Sequence, residues 1–99
     1  MSRIHALKFL ILQTLNKNSS QIDKQKHNEI AKSLNVINRN DKLFILWKFR
    51  NKNNEIVVED DKFTFYRRSE FDQSSDRNQI DTNEKNAKEI VLKIINLSL

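Results

Sequence analysis

Apolar residues recur at helical spacing from the start of the chain. Ile4, Leu7, Ile11 and Leu15 share one stripe that Leu10 widens, which predicts a first helix over residues 3–16. "NKNSSQ" (16–21) breaks that period with polar and capping residues. A second helix is expected over 23–34, with Asp23, His27, Ile30, Ala31 and Leu34 on one face and Lys24, Lys26, Asn28 and Lys32 turned away. His27 on that apolar side reads as a half-buried residue rather than a base or ligand. "NVINRN" (35–40) is a turn signal, with Asn38 or Asn40 as N-cap of a third helix, "DKLFILWKFRNK", over about 41–52.

Beyond that point the period changes. "EIVV" and "KFTFYRR" are β-rich runs separated by acidic residues, which predicts a hairpin turning on Asp60-Asp61. Aspartate tolerates left-handed backbone better than most residues, so the pair stands in where Asp-Gly would be usual. Ile56, Val58, Phe63 and Phe65 are then expected on the buried face, with Val57, Thr64 and Tyr66 opposite. "SEFDQSSDRNQIDTNEK" (69–85) lacks periodicity and reads as a polar linker. "NAKEIVLKIINLSL" (86–99) is helical again, and Ile90, Ile94 and Leu97 on it are candidate protein contacts.

The expected fold is therefore α+β and mostly helical. Three helices precede a two-stranded wing, the order of a winged helix, and a C-terminal helix follows. The divisions are a domain at 1–71, a linker at 72–85 and the tail helix at 86–99, either a docking helix or the opening of a truncated second winged helix.

Composition narrows the chemistry. The 99 residues include no glycine, proline or cysteine. Lacking glycine, the chain has no P-loop and no dinucleotide fingerprint; lacking cysteine, it has no disulfide and no thiolate metal site. An AT-rich genome accounts for these absences and for the abundance of Asn and Lys. No apolar run approaches the roughly 18 residues of a membrane span. "FLIL" (9–12) is too short for a signal-peptide core. A mitochondrial presequence has some support in Arg3, His5, Lys8 and Lys17, with no acidic residue before Asp23, but a first core helix is the better reading.

Charge is uneven along the chain. Residues 1–68 hold fourteen Lys or Arg against seven Asp or Glu, and residues 69–99 hold four against six. A basic body fits nucleic acid or an acidic protein partner as well as ordinary solubility. The candidate phosphate-binding residues are Arg39, Lys42, Lys48, Arg50 and Lys52, with Arg67 and Arg68 at the base of the wing. The third helix lacks the Arg, Asn or Gln forks that read base edges, so duplex contact should be weak and independent of sequence. Trp47 and Phe49 read as core. Ile45 falls at the edge of the polar strip of that helix and reads as an exposed protein contact. Asp60 and Asp61 give the wing tip the wrong sign for phosphate and suit a protein contact better. Two histidines and a carboxylate pair on a turn support no enzyme, and no metal or cofactor is expected.

The stretch "NKNNEIVVEDDKFTFYRRSEF" (51–71) resembles the core winged-helix domain of the beta subunit of general transcription factor IIE. The shared features are an asparagine-rich helix end, a short strand, an acidic turn, the element Lys62-Phe63-Thr64-Phe65 and the basic pair Arg67-Arg68. That family usually has aspartate-glycine at the wing turn, where this chain has Asp60-Asp61. Pattern alone extends the likeness back to about Ile4. The resemblance implies a nuclear, non-catalytic subunit of the RNA polymerase II initiation machinery. Such a subunit pairs with an alpha-like subunit and touches promoter duplex DNA without sequence choice. A dimeric winged-helix regulator, from a prokaryote, a plasmid or a virus, is the alternative; it would form a homodimer through residues 86–99 and act in the cytoplasm of a prokaryote or of a virus-infected cell. A winged helix that docks only protein is a third reading, motivated by the acidic wing and Ile45.

Overall fold

The computed structural model describes residues 2–40, 42–63 and 73–99. In chain order the elements are α1 (Arg3–Lys17), α2 (Lys24–Ser33), β1 (Leu34–Arg39), β2 (Lys42–Arg50), β3 (Ile56–Phe63) and α3 (Gln73–Ser98). The class is α+β and mostly helical, as expected. The order is not: two helices, rather than three, precede the strands, and the strands form a three-stranded antiparallel sheet, β1-β2-β3.

The first two helices follow their caps. Ser2 accepts from the His5 amide at 3.2 Å to start α1, and Asp23 accepts from the Lys26 amide at 2.7 Å to start α2. Lys17 lies in the last turn of α1, where the helix dipole favours a cation. Leu7, Ile11 and Leu15, three residues of the predicted stripe, are its buried positions.

Of residues 41–52, expected as a third helix, 42–52 are instead strand β2 and the turn beyond it, and Asp41 lies outside the described residues. The physical reason lies in "LFILWKF". Wound as a helix, these side chains spread apolar surface around most of the circumference. As a strand the same run sends Leu43, Ile45, Trp47 and Phe49 into the core and leaves Phe44 and Leu46 half-covered on the other face. β-branched and aromatic residues favour that choice, and an uninterrupted apolar run does not reveal its own period.

The hairpin turn is also displaced. Asp60 and Asp61 lie inside β3, paired with Leu46 and Ile45. The chain reverses at residues 51–55 instead. There the Asn51 side chain accepts from the Asn53 and Glu55 amides at 3.0 and 2.9 Å. The Asn51 amide donates to the Glu55 carbonyl, and Asn54 takes the left-handed conformation at φ 63°. Asn40 does the same at φ 52° between β1 and β2. In a chain without glycine, asparagine supplies the positive φ that both turns require. One consequence is that β3 runs unbroken. Ile56 and Val58, expected inside, are 54% and 58% exposed, while Val57 packs against the core and Phe63 is buried as expected.

Residues 73–85, expected within the linker, are helical and continuous with the tail helix. The one buried position described among them, Asn83, is polar, which hides the helical period. Asn83, Ala87, Val91, Ile94, Ile95 and Ser98 form the buried stripe, polar at both ends and visibly apolar only from Ala87 to Ile95. The Ser98 hydroxyl is satisfied by donating to the Ile95 carbonyl.

α1 packs on α3 and β1, α2 on β2, and α3 on β3, so the helices cover one face of the sheet. The core between the layers joins Leu7, Ile11 and Leu15, Ile30, the inward residues of all three strands, and Val91, Ile94 and Ile95. Trp47 is its largest fully buried side chain.

Candidate nucleic-acid interface

The site is the outer face of the sheet, and its composition follows from strand parity. With Leu43, Ile45, Trp47 and Phe49 inward, the even positions of β2 must point outward: Lys42, Phe44, Leu46, Lys48 and Arg50. On β1 the same parity puts out Asn35, Ile37 and Arg39.

The register arranges these residues in rows. Arg39 pairs with Lys42 at one end of the sheet. Ile37 pairs with Phe44, and Asn35 with Leu46, in the middle. At the other end Lys48 pairs with Val58 and Arg50 with Ile56. An apolar centre thus lies between two basic ends, with Lys42 and Lys48 on the order of 20 Å apart along β2. In the middle rows the register also sets Phe44 against Lys62 and Leu46 against Asp60, so β3 adds one basic and one acidic position to this face.

Two of the basic groups are held in place. The Arg39 guanidinium lies over the Phe44 ring, 5.3 Å from its centroid, a cation–π contact worth about 0.5–1 kcal/mol where exposed. Arg50 donates through Nη1 to the Asn54 carbonyl at 3.0 Å. Its backbone is tied to α2. The Arg50 amide donates to Glu29 Oε1 at 3.2 Å, and Lys26 Nζ bridges Glu29 Oε2 and the Arg50 carbonyl at 3.0 and 2.7 Å. The Lys26 ammonium first, and then the Arg50 amide, hold the Glu29 carboxyl below the usual carboxylate range.

Of the predicted phosphate-binding residues, Arg39, Lys42, Lys48 and Arg50 come together on this face, and Lys52 is exposed in the adjoining turn. Arg67 and Arg68 lie outside the described residues, as do the side chains of Asp60 and Asp61. Ile45, expected exposed, is 1% exposed, because strand parity turns it inward. Ile94 is buried within the chain, Ile90 packs at the core margin, and Leu97 remains partly exposed. The tail helix therefore spends much of its apolar stripe on α1 rather than on a partner. Phe44, which lies on the same face under Arg39, is not among the predicted site residues; a strand assignment for 42–50 would have singled it out.

His27 is half-buried, and its Nε2 has no hydrogen-bond partner among the described residues. The depression between α1 and α3 is lined by Leu10, Gln13, Thr14, Lys17, Asn18, Glu84 and Lys88 and offers about 300 Å³. It brings one carboxylate beside two lysines, with no nucleophile–base pair. Among the described residues no group of three or more His, Cys, Asp or Glu is placed to hold a metal ion, and no helix is long and apolar enough to cross a membrane. In comparisons with known proteins, no family model, curated protein or solved structure matches this chain.

Proposed function

We propose that this chain is a non-catalytic module that grips nucleic acid by its backbone through the outer face of the sheet, without reading base sequence. One observation carries the reading: Arg39, Lys42, Lys48 and Arg50, from two strands, share one face, to which the register of β3 adds one further basic position, Lys62, and one acidic position, Asp60. Lysines and single arginines around an apolar centre neutralise phosphate but present no array of forks to base edges. β2 stands where a winged helix carries its recognition helix, so the contact runs through the sheet and not through a helix in the major groove.

Fluorescence anisotropy of labelled DNA against salt tests this. Four phosphate contacts give a log–log slope of about −3.6 on duplex and about −2.8 on a single strand. A slope near zero, or no binding at low salt, would transfer the face to a protein partner. Strong preference for one short palindrome would replace the reading with a sequence-specific regulator.

Membership of the RNA polymerase II initiation machinery, as a nuclear beta-type subunit of transcription factor IIE, is a narrower proposal supported by residues 51–71. Part of that stretch lies outside the described residues, and a strand, not a helix, leads into it. A tagged pull-down from the native cell should recover an alpha-like subunit or polymerase subunits. Recovery of neither would leave the nucleic-acid reading standing on the sheet alone.

A further inference from the structure

We infer that the preferred occupant of the outer sheet face is single-stranded DNA, with an unpaired base stacked on the Arg39–Phe44 pair and phosphates held at the two basic ends. The inference rests on the nucleic-acid reading above and names its ligand.

Three features point away from a duplex. The major groove is about 12 Å wide and admits a helix or a two-stranded ribbon. Three strands spaced about 4.8 Å apart already span roughly 10 Å before side chains are added. The helices on the opposite face add further bulk behind the sheet. A duplex could touch this face only by its phosphates, and then the apolar centre would meet charge.

That centre is what a single strand can use. Ile37, Phe44 and Leu46 are half-buried side by side in the middle of the face, with Lys42 and Arg39 at one end and Lys48 and Arg50 at the other. Every base has a π-face, so stacking on aromatic rings and on arginine planes binds single strands with little sequence choice. The guanidinium already lies 5.3 Å from the Phe44 centroid, so the stacking element is assembled before any base arrives. The choice of DNA follows from what the face lacks. Selection of RNA through its 2′-hydroxyl needs a group that accepts from that hydroxyl as well as groups that donate to it, and lysine and arginine only donate. Asn35, on the edge strand, is the one uncharged polar side chain among the described residues of this face.

The experiment uses the full chain and labelled DNA about 12 nucleotides long, within the site sizes of known single-strand binders. Its duplex and an RNA of the same sequence are measured beside it at equal salt. Single-stranded DNA should bind more tightly than the duplex, by about fivefold or more, the least that one stacked base supplies. Phe44→Leu keeps the apolar volume but removes the ring. It should lower single-strand affinity by about 5- to 150-fold and leave duplex affinity unchanged, while Phe44→Tyr keeps the wild-type affinity. Ultraviolet crosslinking of the wild-type protein, which does not depend on any variant folding, should place the DNA on the peptide containing Phe44. Equal affinity for the duplex, an unaltered Phe44→Leu, or crosslinks confined to α3 would overturn the single-strand inference while leaving backbone binding intact. Tighter binding of the RNA would overturn the choice of DNA. No binding of any of the three would overturn the underlying nucleic-acid reading as well.

Discussion

The two faces of the sheet are written by alternate letters of the same words. On β2, Leu43, Ile45, Trp47 and Phe49 are sealed under helices, while Lys42, Phe44, Leu46, Lys48 and Arg50 face away from them. The inner face has one requirement, to exclude water. The outer face mixes charge with half-buried apolar surface that no described element covers. Equal hydrophobicity at adjacent positions thus has opposite meanings, and substitutions should separate them.

The largest difference is expected in stability. Trp47→Ala should cost about 3–5 kcal/mol by loss of burial and the cavity left behind, enough to unfold a domain of ordinary marginal stability. Leu46→Ala, its half-covered neighbour, should cost about 1 kcal/mol or less. Chemical denaturation of the two variants measures both. Trp47→Phe adds a finer comparison, because the indole Nε1 is buried with no hydrogen-bond partner among the described residues. Removing that orphaned donor recovers part of the lost packing, an unpaired buried group costing about 1–3 kcal/mol. The net loss should stay under about 2 kcal/mol. A loss as large as that of Trp47→Ala would mean that the N–H is satisfied after all.

The opposite pattern is expected for the basic ends. Lys42→Gln with Lys48→Gln should change stability by no more than about 0.5 kcal/mol. The same pair should flatten the salt slope of nucleic-acid binding by about 1.4 to 1.8, two phosphate contacts' worth. An unchanged slope would remove these lysines from the interface.

How much of this was readable beforehand depended on where pattern and packing agreed. The first two helices declared themselves by period alone; their caps, Ser2 and Asp23, were shown only by the structure. The basic residues were recognised by type, yet only the strand assignment shows that four of them share a face. "KLFILWKFR" was misread because an apolar run longer than one turn satisfies both periods, and the choice is made by what lies above it. The C-terminal helix was legible over 86–98, where its stripe is apolar, and illegible before Ala87, where Asn83 occupies a buried position.

The turns offer a smaller test. Asn54→Ala must place a Cβ-bearing residue without a compensating side chain at φ 63°, and should cost about 1 kcal/mol. Asn54→Gly should lie within about 0.5 kcal/mol of wild type, since glycine takes that conformation freely. If alanine were tolerated equally well, the turn would not depend on left-handed backbone, and the acidic stretch at 59–61 would regain its claim to the reversal.

The smallest effect concerns the joint between the layers. Glu29 ties α2 to the last residue of β2, whose side chain belongs to the outer face. Its carboxyl is held below the ordinary range by Lys26 and by the Arg50 amide. A group whose folded pKa is depressed contributes stability that is present above its unfolded pKa. That contribution fades as pH falls from the ordinary glutamate range, about 4.3, through the lower folded value, because protonation then costs the folded state its ionic contacts. Glu29 is 39% exposed, so solvent and salt screen the pair and its worth stays under about 1 kcal/mol. Glu29→Gln should therefore lower the melting temperature slightly at neutral pH and not at all at the acid end of that window. Its signature is convergence of the two stability curves as pH falls. Curves that ran parallel through the window would show that the joint rests on amide hydrogen bonding alone, with no part played by the charge.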